Sequence, residues 1–346
     1  MLDSPQRFLV IRLSSIGDVV HALPAVAALG KTYRQAEIHW VVESRYACLL
    51  EGNPYVHRLL KLDTLGWRGR MASAATLDEA VRSILALREV SYDAAIDFQG
   101  LWKSALIARL SRARERLGFA ENWLREPGAA LFYSQKVSAG DRRHIVDVNL
   151  ALVERLGARA ERWEFPLPQA RQDELYVERQ LAARGAPEFI IINPGGGWRA
   201  KCWAPENYAE LLRRLEPQLA LRILLTGSPQ EETLIARILA LAGTRQAGYF
   251  PSTLLQFIAL ARRAKLFVGG DSGPLHLAAA VGAPIVAIYG PTGPARNGPF
   301  SEADIALSNC GPIDHTRRAS RQSYLPDISV DSVLAAIGER LARAHG

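Results

Sequence analysis

The chain predicts two doubly wound α/β domains facing each other across a cleft. Three observations lead there. Short apolar strand patterns alternate with helical ones almost throughout, as they do when helices cover both faces of a parallel sheet. A length of 346 residues is more than one core ordinarily holds and suits two domains. The alternation breaks once, over the polar, proline-containing stretch 157–169, which reads as a boundary. We therefore divide the chain into residues 1–160, residues 171–328 and a terminal helix over 329–346, the last expected to fold back on the first domain.

In chain order, compact apolar runs at 8–13, 38–42 and 94–97 predict strands of the first domain. Residues 19–29, 77–87, 102–110 and 144–156 carry helical spacing. Beyond the break, 189–192, 221–225, 266–268 and 284–288 predict strands. Helices are expected at 205–215, 230–241, 254–261, 277–281 and 331–344. No solenoid-length repeat and no low-complexity segment interrupts the series. In open sheets of this kind a ligand binds outside the carboxyl ends of the strands, so the strand-to-helix turns are where chemistry is expected.

The hydrophobic content of 49% and charged content of 22% are those of a soluble globular protein. Cys48, Cys202 and Cys310 are far apart and odd in number, which offers no zinc spacing or disulfide framework and fits a reducing cytoplasmic compartment. The N-terminus runs directly into a strand pattern, so no signal peptide is expected, and no apolar run reaches the roughly 18 residues of a membrane span. A net charge of +7 favours anionic partners: nucleotides, phosphorylated glycolipids, acidic membrane surfaces or nucleic acid. The chain has no RNA-binding aromatic signature, zinc finger or DNA-reading helix, which weighs against nucleic acid.

The most informative turn is Gly269-Gly270-Asp271-Ser272-Gly273-Pro274-Leu275-His276. It joins a strand to a helix N-terminus, where free N–H groups suit a phosphate. Small residues permit close backbone approach, and His276 falls one turn into the helix. Asp271 or Ser272 could equally serve as an ordinary helix cap. A second turn, Asn193-Pro194-Gly195-Gly196-Gly197-Trp198-Arg199-Ala200-Lys201, pairs glycines with two cations suited to a diphosphate, without Walker A spacing. A third, Thr226-Gly227-Ser228-Pro229-Gln230-Glu231-Glu232, offers Glu231 to a ribose or an adenine amino group.

In the first domain the turn Leu13-Ser14-Ser15-Ile16-Gly17-Asp18 has one glycine, so it lacks the G-x-G-x-x-G dinucleotide fingerprint. That argues against a nicotinamide oxidoreductase. Asp18 reads either as a cap or as a carboxylate placed to take a proton from a hydroxyl acceptor. From spacing alone the cap is favoured. Asp97-Phe98-Gln99-Gly100-Leu101-Trp102-Lys103 is another strand-to-helix turn, in which Gln99 and Lys103 could meet an acceptor or Lys103 could be solvated. Arg109, Arg112, Arg114 and Arg116 form one basic group, and Arg142, Arg143 and His144 another. Such runs are solvated faces or receivers of anionic sugars and lipid phosphates.

Several ordered blocks resemble the ADP-heptose:lipopolysaccharide heptosyltransferases of glycosyltransferase family 9. LVIRLSSIGDVVHALPAV resembles the family's N-terminal block, and YDAAIDFQGLWKSALIARL and REPGAALFY are most similar to heptosyltransferase I. INPGGGWRAKCWAPENY, LLTGSPQEE and GGDSGPLHLAAAVGAPIVAIYGPTGP resemble the donor-binding blocks. Where heptosyltransferase I tends to carry a His-Ala-Thr-Thr type segment, this chain has Asn193-Pro194-Gly195-Gly196-Gly197, more similar to heptosyltransferase II or other members.

The resemblance implies a GT-B architecture of two Rossmann-like domains, an N-terminal one for the acceptor and a C-terminal one for the nucleotide-sugar donor. It implies inverting transfer of heptose from ADP-heptose to a Kdo-bearing lipid A precursor in lipopolysaccharide inner-core synthesis. No cofactor and no metal are expected. The protein is then expected to be cytoplasmic and peripheral at the inner-leaflet membrane surface. By matching position, Asp18 is the expected catalytic base and Lys201 the stabiliser of the donor diphosphate. Gly195, Gly196, Gly197, Glu231, Asp271, Ser272, Gly273 and His276 are the remaining donor-binding candidates. Ser15, Gly17, Gln99, Lys103 and Arg143 are the acceptor candidates. Alternatives are heptosyltransferase II, another family member with a different acceptor or nucleotide sugar, and a non-catalytic nucleotide-sugar binding protein.

Overall fold

The computed structural model describes residues 7–64, 66–67, 74–197, 201–290, 293–308 and 328–343. The chain forms two compact units, Met1–Pro168 and Gln169–Gly346. Each unit contains one parallel sheet of six strands.

In the first unit the strands are β1 (Arg7–Ile11), β2 (Glu37–Glu43), β3 (Arg58–Leu62), β4 (Ala94–Asp97), β5 (Glu115–Phe119) and β6 (Gln135–Val137). Their order in the sheet is β3-β2-β1-β4-β5-β6. In the second unit they are β7 (Phe189–Asn193), β8 (Arg222–Leu225), β9 (Ala247–Tyr249), β10 (Leu266–Gly270), β11 (Ile285–Tyr289) and β12 (Ile305–Ser308), ordered β12-β11-β10-β7-β8-β9. The two orders are the same doubly wound topology, taken from opposite edges. In each, the strand order reverses beside the unit's first strand, between β1 and β4 and between β7 and β10. Helices that leave these neighbouring strands cross to opposite faces, so their turns splay apart and leave a crevice at the carboxyl edge.

The central strands are legible because they are covered on both faces. Phe8, Leu9, Val10 and Ile11 are wholly buried, as are Phe189, Ile190, Ile191 and Ile192. A strand buried on both sides reads as an unbroken apolar run. Edge strands do not have that property, and Arg58–Leu62, Gln135–Val137 and Ile305–Ser308 escape the sequence pattern. So does the helix Arg171–Ala183, which is mostly polar and buries only Asp173, Val177 and Leu181. Tyr92 and Ala95 join Leu9, Ile11 and Val41 in the core of the first unit.

The terminal helix Val330–Arg343 packs in the second unit, against β10, β11, β12 and the helix Pro205–Leu215. Val333, Ala336 and Ile337 enter the same core as Ile192, Leu211, Val268 and Ile288. The buried Arg340 guanidinium donates at 3.0 Å to Asp304, which also accepts the Ile285 N–H, so the helix is bound to the sheet by polar bonds as well.

Candidate active site

Strand register brings the first-unit candidates together. Ile11 pairs with Asp97, so the turn after β1 lies beside the turn after β4. Gln99 joins them: its Oε1 accepts the Leu13 N–H at 2.8 Å and the Ser14 N–H at 3.3 Å. Asp97 holds Gln99 in turn, its Oδ1 accepting the N–H groups of Gln99 at 2.8 Å and Gly100 at 3.2 Å. The Tyr133 hydroxyl donates to the other oxygen at 2.7 Å. Burial pushes the Asp97 carboxyl above its usual range, more than these bonds draw it down.

Asp18 occupies the first turn of the helix Ile16–Thr32. Its Oδ2 accepts both the backbone N–H and the hydroxyl of Ser15, each at 2.9 Å, so the capping use is present. Its Oδ1 pairs with the guanidinium of Arg12, which also donates to the Phe98 carbonyl. Burial by neighbouring atoms raises the Asp18 carboxyl, but the Arg12 charge and the Ser15 bonds outweigh it and hold the group below the usual carboxylate range. The side chain remains 40% exposed, so it is an ionised carboxylate open to a partner. Ser15 beside it is exposed and Gly17 is buried in the first helical turn.

Lys103 is not simply a solvated lysine. It donates to the Thr64 hydroxyl at 3.2 Å and lies 3.8 Å from the buried carboxylate of Glu43, at the end of β2. Arg143 is exposed on the loop after β6, three strands from β1. Its neighbour Arg142 is tied to Glu154 at 2.6 Å, and His144 caps the helix Ile145–Glu154.

The donor candidates gather on three adjacent strands, β10, β7 and β8. Gly269 pairs with Asn193, which sets the turn after β10 beside the glycine turn after β7. Asn193 Nδ2 donates to the Thr226 carbonyl at 2.8 Å and so ties in the turn after β8. Along the glycine turn, Gly195 is buried, Gly196 half-buried and Gly197 exposed, with no atom of the described residues within 4 Å of a Cβ placed at Gly197. A Cβ at Gly270 would come 2.8 Å from the Lys201 carbonyl, so the two turns touch through backbone. Glu231 accepts the Ser228 N–H at 2.7 Å and the Ser228 hydroxyl at 2.9 Å through Oε2. Arg199, the second expected cation, lies outside the described residues, as does Cys310.

Lys201, Asp271 and His276 form a buried charged cluster. The Lys201 ammonium bonds Asp271 Oδ2, and His276 Nε2 lies 3.1 Å from Asp271 Oδ1. Burial alone would raise the Asp271 carboxyl; the His276 bond and charge, then Lys201, reverse this and hold it far below the usual range. Ser272 is the N-cap residue of the helix Gly273–Ala280, whose first turn presents the N–H of Gly273, Pro274 having none. The arrangement offers an anion the Lys201 ammonium, glycine backbone and a helix N-terminus, which together match a diphosphate. Among the described residues no three His, Cys, Asp or Glu side chains are grouped as a metal site.

The family model for glycosyltransferase family 9 (heptosyltransferase) matches residues 81–327. The chain belongs to glycosyltransferase family 9. This transferase is 30% identical over 318 residues to lipopolysaccharide heptosyltransferase 1 of Pseudomonas aeruginosa, an alignment covering 88% of this chain and 85% of that one. Its structure is similar to Escherichia coli heptosyltransferase WaaC with ADP, at a TM-score of 0.80 and 27% identity, covering 97% and 100% of the two chains. The same enzyme with ADP-2-deoxy-2-fluoro heptose gives a TM-score of 0.75 at 27% identity over 96% and 99%. The two parallel α/β units of the transferase are therefore those of the GT-B heptosyltransferases.

Sequence reasoning missed three groups that organise the site: Arg12, Glu43 and the Asp97–Tyr133 pair. A signal was available. Arg12, Glu43 and Asp97 each stand where an otherwise apolar strand ends, and each is buried. A charge at that position is costly unless it is paired and hydrogen-bonded.

Proposed function

We propose that this transferase moves heptose from ADP-heptose to a Kdo-containing lipid A acceptor, with inversion at the anomeric carbon and without a metal ion. The observation that carries the reading is the Lys201–Asp271–His276 cluster beside the glycine turn after β7 and the helix N-terminus after β10. It supplies the positive charge and N–H donors that a departing nucleoside diphosphate needs. The Pseudomonas relative's name and the ADP-heptose analogue held by the similar Escherichia coli enzyme support heptose as the sugar and lipopolysaccharide as the product.

In this mechanism Asp18 takes the proton of an acceptor hydroxyl as its oxygen attacks the anomeric carbon from the face opposite ADP. The bond from that carbon to the diphosphate oxygen breaks, and ADP leaves with its charge met by Lys201 and the Gly273 N–H. Lys201 exchanges part of its bond to Asp271 for the diphosphate. Arg12 keeps Asp18 ionised and aimed, so Asp18 acts through position more than through strong basicity. Gln99, Lys103, Ser15 and Arg143 are the groups we assign to the acceptor, with cations suited to the Kdo carboxylate. No helix among the described residues is long and apolar enough to cross a membrane. With a lipid-borne acceptor, we place the enzyme peripherally at the cytoplasmic face of the inner membrane.

The test is ADP release from ADP-heptose, with and without a Kdo-bearing lipid A acceptor. Release that depends on the acceptor and disappears in Asp18→Asn is the expected result. Release only with an already heptosylated acceptor would replace this reading by the heptosyltransferase II one. Bound donor with no release for any acceptor would leave a nucleotide-sugar binding protein.

A further inference from the structure

The first unit carries an apolar face that its core does not use. Among the described residues seven large hydrophobic side chains are exposed, and five of them, Val81, Leu85, Trp102, Leu106 and Leu131, lie in one layer. That layer is made of the helices Ala74–Arg88 and Trp102–Leu110 and the turn Pro127–Phe132. Trp102 is 47% exposed, Leu106 46% and Leu131 77%. On its helix, Trp102, Leu106 and Arg109 recur at a spacing that places them on one outer face. Val81, Leu85 and Arg88 repeat that spacing on the neighbouring helix.

Contacts bind these pieces into a continuous surface. The Trp102 ring meets Phe132 edge-on at 5.7 Å, joining the turn to the helix. Arg88 donates to the Leu110 carbonyl at 3.3 Å, joining the two helices at their far ends. Arg88, Arg109 and Arg112 all stand exposed around that end. Aromatic and leucine side chains flanked by arginines match a bilayer interface, where the ring sits at headgroup level, leucines reach the acyl boundary and arginines meet lipid phosphate. Trp102 also opens the helix that carries Lys103, directly after the Gln99 turn.

We propose that this face docks on an anionic bilayer surface, with Trp102, Leu106 and Leu131 entering the interface and Arg88, Arg109 and Arg112 on the headgroups. The choice of a bilayer over another protein rests on the proposed lipid-borne acceptor, whose sugar would reach Gln99 and Lys103 while its chains stay beside Trp102.

Sedimentation of the full chain with phosphatidylethanolamine–phosphatidylglycerol vesicles, against pure phosphatidylcholine vesicles, tests this. The wild type should bind the anionic vesicles, and high salt should weaken the binding. Leu106→Ser with Leu131→Ser should weaken it by about tenfold or more, as loss of two partly inserted leucines implies. Arg109→Glu with Arg112→Glu should remove most of the salt-sensitive part. Both variants should release ADP like the wild type with a detergent-dispersed acceptor. Wild type left in the supernatant, equal binding to both lipids, or variants that bind as well as wild type would overturn the proposal. Self-association abolished by the leucine variant, without vesicle binding, would assign the face to a second copy instead. Vesicle binding is read without turnover, so a failed transfer assay would sink the transferase reading and leave this surface standing.

Discussion

The Glu231 carboxylate fills the space beside Gly195 that any side chain there would need. A Cβ built on Gly195 would lie 1.7 Å from Glu231 Oε1. Gly195→Ala should therefore push Glu231 aside and disturb its bonds to Ser228. Because the obstacle is the end of a flexible side chain, the fold should survive, with a melting temperature near that of the wild type. Affinity for ADP, followed by calorimetry, should fall by about tenfold, the equivalent of about 1.4 kcal/mol. Unchanged affinity would remove Glu231 from the donor site.

Asp18→Asn keeps the size of the side chain and loses its capacity to take a proton. Turnover should fall by about 10²–10⁴-fold while ADP binding stays as in the wild type. A folded variant with full turnover would exclude Asp18 as the base.

Arg12 tunes that base. Its guanidinium holds the Asp18 carboxyl low, so the ionised form persists down to acid pH. Arg12→Met removes the charge and should raise the Asp18 pKa. The base is active above its pKa, so the acid limb of kcat/KM should move to higher pH. A limb that does not move would show that the Arg12 charge does not set it.

Asp271 contributes stability that depends on pH. Its pKa is lower in the folded state than the unfolded value of about 3.9, so its contribution is complete above that value. It is lost as pH falls through the folded value. Asp271→Asn leaves Lys201 and His276 without their carboxylate and should cost on the order of 3 kcal/mol at neutral pH. The gap between wild type and variant in denaturant unfolding should narrow as the solution is made strongly acidic. A constant gap would mean that the carboxylate charge is not what stabilises the cluster.

The terminal helix is part of the second unit's core. Ile337 is 1% exposed among Ile288, Val268 and Leu211. Ile337→Ala should destabilise the chain by about 2–5 kcal/mol. A loss within the ordinary surface range of about 0.5 kcal/mol would mean that the helix is only loosely attached.

The amino-acid sequence by itself determined the α/β class and most of the central elements, because β1, β4, β7 and β10 are covered on both faces and keep unbroken apolar runs. It also placed Asp18, Gln99, the three glycines and Asp271 on strand-to-helix turns, since small and polar residues interrupt those runs there. Glu115–Phe119 and Ala247–Tyr249 were not legible, being only partly buried, the first hidden in what reads as a basic cluster. The placement of the terminal helix was decided by packing alone: its apolar stripe fits any apolar surface, and tertiary structure chose the sheet of β10, β11 and β12. The same is true of partnership in the site. Tyr133 with Asp97 and Lys201 with Asp271 are joined by strand order and register, which bring residues 36 and 70 positions apart within bonding distance. Local sequence records which groups stand at a turn; only the folded sheet decides which turns are neighbours, and so which charges offset one another.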